Sequence, residues 1–108
     1  MESLHVHHRK VERFTLLYAI YKKSMSSTDY VVDMREIAHQ EGIGYKAFKA
    51  AFDYLCSQQL LRPRVLNDSN DSFYYASITN EGINAIEDVF REENRESTYF
   101  PAYRKMMN

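Results

Sequence analysis

Tyr45, Lys46, Lys49 and Ala50 form the patch of this sequence whose residue types and spacing best suit holding an anionic, acceptor-rich partner. Phe48, Ala51, Phe52 and Leu55 keep the i, i+3, i+4, i+7 spacing of a helix with one buried stripe. Tyr45, Lys46, Lys49, Ala50 and Asp53 then share the opposite face. Two ammonium groups and a phenol in the first turns of a helix can donate to phosphate oxygens and to the acceptors of a base edge. A lysine pair at i, i+3 is equally the mark of a solvated surface, so the elements around this helix must decide.

Other chemistry finds no constellation to carry it. His5, His7 and His8 invite a metal, but zinc needs a fixed tetrahedral shell held by supporting hydrogen bonds, and nothing nearby supplies one; residues 1–8 are expected to be an N-terminal arm. Cys56 is the one cysteine, which excludes an internal disulfide and a paired-cysteine zinc site, and no base can be placed beside it. His39 falls late in a helix and reads as a surface residue near the cap. Gly42, Gly44 and Gly82 read as turn or cap residues, not as a phosphate loop. The expectation is no enzyme, no metal and no cofactor.

A chain of 108 residues, 44% hydrophobic and 27% charged, fits one globular domain with a core large enough to need no disulfide. It contains no apolar run of membrane-spanning length and no secretory signal, so a cytoplasmic location without membrane contact is expected. The net charge of −1 and pI near 6.4 weigh against a domain that neutralises phosphates. The average hides an asymmetry: residues 1–64 hold ten Lys or Arg against seven Asp or Glu, while residues 65–108 hold four against eight. The Tyr45–Ala50 face lies in the basic half.

The elements that must position this face follow from period and punctuation. Val11, Phe14, Leu17, Tyr18 and Tyr21, widened by Leu16 and Ile20, predict a helix from about Arg9 to Lys23, whose extra apolar positions could pack internally or face another subunit. Tyr30-Val31-Val32 suits a short strand. Asp33 with Glu36 forms a capping box for a helix carrying Met34, Ile37 and Ala38; Gly42 ends it, Ile43 anchors the turn, and a second helix starts at about Gly44. A strand over Leu61–Leu66, with Pro63 on an edge, a turn over Asn67–Ser72 and a returning strand over Phe73–Ile78 make a hairpin. Thr79 caps a helix running to about Glu96, buried through Ile83, Ile86, Val89 and Phe90. The tail, residues 97–108, is rich in aromatic residues and is expected to dock, on its own domain, on a second subunit or on another protein.

This order of elements over residues 9–96 resembles a winged helix-turn-helix domain, like the MarR-like and PadR-like regulators and small stand-alone winged-helix proteins of bacteria and phage. Ile78-Thr79-Asn80-Glu81-Gly82 is similar to the Leu-Thr-x-x-Gly step that leaves the wing in many such repressors. The resemblance implies an α+β fold with a three-helix core, a small antiparallel β-hairpin wing and a C-terminal helix. It also implies a transcription regulator that binds duplex DNA, with Tyr45, Lys46, Lys49 and Ala50 facing the major groove and Arg62 and Arg64 on the backbone. A homodimer through the first helix, the last helix and the tail would use Phe14, Leu17, Tyr21, Phe90, Tyr99, Phe100 and Tyr103. The chain departs from the pattern at the acidic wing tip, Asp68 and Asp71, and at Gln59, where such domains often have glycine. The acidic tip and neutral pI favour the alternative, a protein-interaction or assembly module without nucleic acid.

Overall fold

In the computed structural model, which describes residues 3–65 and 74–107, three of the five helices begin where a side-chain oxygen takes orphan donors of the first turn. Ser3 Oγ accepts from Val6 N at 3.2 Å and opens α1 (Leu4–Ser24). Asp33 Oδ1 accepts from Arg35 N at 3.0 Å and Glu36 N at 3.4 Å and opens α2 (Met34–Gln40), directly after β1 (Val32–Asp33). α3 (Tyr45–Ser57) starts at Gly44 without a side-chain cap. β2 (Leu61–Arg64) and β3 (Tyr75–Ile78) follow, then Thr79 Oγ1 accepts from Gly82 N at 2.9 Å to open α4 (Asn80–Arg91), and α5 (Tyr103–Met106) closes the described chain.

Several boundaries differ from expectation. α1 begins at Leu4 and not at Arg9, because Ser3 supplies a cap that the polar stretch did not advertise; His5, His7 and His8 stand on a helix and not in an arm. The strand at Tyr30–Val32 contracts to Val32–Asp33. α4 stops at Arg91 and not near Glu96, since Glu92 leaves helical geometry and Arg95 N turns back to the Glu92 carbonyl at 3.0 Å. The expected turn over Asn67–Ser72, its acidic pair Asp68 and Asp71, and the strand ends at Leu66 and Phe73 lie outside the described residues.

The described elements form an α+β arrangement: five helices and a three-stranded antiparallel sheet in the order β1-β3-β2. Val32 pairs with Ala76, and Leu61, Arg62, Pro63 and Arg64 pair with Ile78, Ser77, Ala76 and Tyr75. Pro63, which has no N–H to give a ladder, thus sits on an edge strand as expected. α1 runs through the middle, packed against α2, α3, α4 and β3, with Leu16, Leu17 and Ile20 fully buried.

Three helices end in the same way. Ser26 N reaches the Tyr21 carbonyl and Met25 N that of Lys22; Ile43 N reaches Ala38 and Gly42 N reaches His39; Leu60 N reaches Leu55 and Gln59 N reaches Cys56. These are paired 6→1 and 5→2 bonds, the Schellman closure, which requires a left-handed residue after the helix. That residue is Gly42 at φ 72° in one case but Met25 at 52° and Gln59 at 61° in the others. A side chain in this region costs about 1–2 kcal/mol, against about 0.5–1 kcal/mol of chain entropy that a glycine would lose. Gln59→Gly is therefore expected to stabilise the fold by about 0.5–1 kcal/mol, read as a thermal midpoint several degrees higher; no rise would mean that the Gln59 side chain makes up its own strain.

The homodimer expectation meets the core at three positions. Phe14, Leu17 and Phe100 are buried inside the protomer, Phe100 completely, and are not available to a second copy. Phe14 lies 5.5 Å from the Phe100 ring, edge to face, and 6.1 Å from Phe90, so α1, α4 and the tail meet in one aromatic cluster. The tail docks on its own domain. Tyr21, Phe90, Tyr99 and Tyr103 pack around this cluster while remaining partly exposed.

Candidate nucleic-acid interface

The exposed face of α3 is set by what the other face buries. Phe48, Ala51, Phe52 and Leu55 are in the core, which turns Tyr45, Lys46, Lys49, Ala50 and Asp53 to solvent. The turn before it is short: Gly42 and Ile43 close α2, and Gly44 already starts α3. The four residues expected on one face therefore do share it.

Their side chains are not equally free. The Tyr45 hydroxyl lies 2.8 Å from that of Tyr74, and the two rings meet edge to face at 6.1 Å. Tyr74 immediately precedes β3 and rests on Phe48 at 5.1 Å and Phe52 at 5.3 Å, so its ring roofs the first turns of α3. The hydrogen bond with Tyr45, then desolvation and the neighbouring phenol, hold the Tyr74 hydroxyl above the usual phenol range. Lys49 Nζ donates to Asp53 Oδ2 at 3.1 Å, one turn on, and that hydrogen bond and charge raise its affinity for its proton. Both partners are exposed, so the pair is weak and screened, but it halves the positive charge of the face. Among the described residues Lys46 has no such partner, and Ala50 lies exposed one turn beyond it.

The two arginines of the hairpin are elsewhere. Arg64 donates to the Oγ of buried Ser77 at 3.2 Å, which holds its guanidinium across β3. Arg62 lines a shallow hollow with Thr28, Cys56, Gln59, Asn80 and Glu81 at the C-terminal end of α3. At about 1.5 Å of rise per residue this is roughly 16 Å along the helix from Tyr45. Cys56, beside that hollow, is half-buried, and desolvation followed by the Asp53 charge pushes its thiol up to about 11. The thiolate is scarce at neutral pH, so the residue is a poor nucleophile.

On the other flank of α3 the structure assembles a group that the sequence does not bring together. His5, His8, Arg9, Glu12 and Arg13 form one stripe of α1 and face Lys46, Ala47, Ala50 and Ala51 across a groove of about 280 Å³. The Arg13 guanidinium lies 3.8 Å over the Tyr54 ring, bridging the helices. His8 Nε2 is 3.6 Å from Glu12 Oε2. The 5, 8, 9, 12, 13 spacing and the three alanines of α3 were the available signals: small residues on one helix permit a close polar neighbour on the next.

Among the described residues no three His, Cys, Asp or Glu side chains converge as metal ligands would, and no helix is long and apolar enough to cross a membrane. No protein-family model, curated protein or solved structure matches the chain.

Proposed function

We propose that this chain is a small winged helix-turn-helix protein that regulates transcription by binding duplex DNA through the exposed face of α3. The observation that carries the reading is that face itself: a Lys46 without an ion-pair partner among the described residues, with Tyr45, Lys49 and Ala50 around it, on a helix presented by a tight glycine turn and backed by a buried aromatic stripe. The element order, and the Tyr74 ring resting on the start of α3, support the same assignment. The low net charge sets the strength: non-specific binding in the micromolar range or weaker, falling with salt.

The test is fluorescence anisotropy of labelled random duplex from low to physiological salt, with a short RNA as control. Lys46→Glu together with Lys49→Glu is expected to weaken duplex binding by a factor of about ten or more, since each reversal removes an attraction and adds a repulsion. Circular dichroism should be unchanged, because both side chains are exposed. Full affinity in a folded double variant would move the interface off α3.

A protein-interaction module is the second reading, favoured by two ties on the same face: Tyr45 to Tyr74 and Lys49 to Asp53. Binding of neither duplex nor RNA at low salt would make it the leading one. A second copy of the chain is the partner we propose for the partly exposed strip of Tyr21, Phe90, Tyr99 and Tyr103.

A further inference from the structure

We infer that the groove between α1 and α3 seats the sugar-phosphate backbone of a DNA duplex, with Arg9, Arg13 and Lys46 on its phosphates. This rests on the reading of α3 as the DNA-contacting helix and says where the strand goes once it leaves that helix. Lys46 and Ala50 belong both to the α3 face and to the groove, so the two surfaces are continuous. Arg9 and Lys46 have no hydrogen-bond or ion-pair partner among the described residues. Arg13 is oriented in advance by its stack on Tyr54, which leaves its planar fork of donors directed by the ring and not by a carboxylate. Glu12 is the single carboxylate among the lining residues, and it faces His8. The alanine floor of Ala47, Ala50 and Ala51 lets a backbone lie close to α3 without displacing a side chain.

Among the described residues the opposite route, toward β2 and β3, offers less. Arg64 is tied to Ser77, and Arg62 shares its hollow with Glu81 at the far end of α3. Phosphates seek unpaired cations with room beside them, and the described structure has these on the α1 side.

The experiment measures the salt dependence of duplex affinity for the intact chain and its variants. Arg9→Gln and Arg13→Gln should each flatten the slope of log K against log salt by about one unit and weaken binding roughly three- to tenfold at physiological salt. The loss should be the same for duplexes of unrelated sequence. Arg13→Lys, which keeps the charge, should restore the slope. Lys23→Gln removes the same charge at the other end of α1 and should leave the slope alone. An unchanged slope in Arg9→Gln and Arg13→Gln, with wild-type protein binding well, overturns the groove and spares α3. Equal flattening by Lys23→Gln also overturns it, since only the overall field would then matter. Absence of duplex binding by the folded wild-type protein at low salt removes the α3 reading and this inference with it.

Discussion

Phe100→Ala is expected to cost about 3–5 kcal/mol of folding stability, a large part of what a domain of this size has. The side chain is fully buried although it comes from the tail. It stands edge to face with Phe14 at 5.5 Å, and Phe14 touches Phe90 and Tyr18 in turn. The tail is built to deliver it: Ser97 Oγ accepts from Phe100 N at 3.0 Å and Tyr99 N at 3.3 Å, Ser97 N donates to the Phe100 carbonyl at 3.0 Å, and Arg104 N donates to the Glu93 carbonyl at 3.1 Å. Truncation leaves a cavity among rings that cannot close in without breaking these bonds. Urea unfolding followed by circular dichroism checks it; a loss below about 1 kcal/mol would mean that the cluster collapses around the gap. For the same reason, deleting residues 97–108 to probe self-association would test folding first.

Gly82→Ala is the second large effect, and its sign is the informative part. In the first turns of a helix, alanine ordinarily exceeds glycine by about 1 kcal/mol. Here a Cβ would collide with the Leu60 carbonyl oxygen and lie 2.9 Å from Ile78 Cγ1. The carbonyl cannot step aside cheaply, because Thr79 N donates to it and Thr79 Oγ1 donates to the neighbouring Gln59 carbonyl at 2.6 Å. The start of α4 would have to lift off the α3–β2 link, and we expect a net loss of about 2–3 kcal/mol. Any gain in stability on denaturation would show that the two segments separate without cost and would contradict the described packing.

These two residues also show what the sequence discloses. Gly82 was legible as part of a Thr-x-x-Gly helix start, but the reason for it, the Leu60 carbonyl of the α3–β2 link pressed against the helix, depends on tertiary approach. Phe100 was legible as too apolar for a solvated end, while its seat was not, because edge-to-face contacts with Phe14 join distant parts of the chain. Side-chain caps at Asp33 and Thr79, the left-handed Gly42 and the buried stripe of α3 are local, and they were readable. Met25 and Gln59 adopt the same left-handed turn without glycine, so composition hid two of three equivalent closures. At the candidate interface the face of α3 follows from helical period alone. Its link to Tyr74 and its basic neighbour on α1 do not, since period orders residues within one helix and says nothing of which helix lies beside it.

The meeting of Phe14 with Phe100 bears on how the protein is made. A ribosome releases α1 first, yet α1 is the element that every other layer covers, and the aromatic cleft it forms with Phe90 is closed from the far side by Phe100. A chain whose tail has not yet docked therefore carries an open, ring-lined cleft, the kind of surface that chaperones hold and that neighbouring chains aggregate through. Closure must wait for a contact between distant parts of the sequence, which slows folding relative to a bundle built from successive helices.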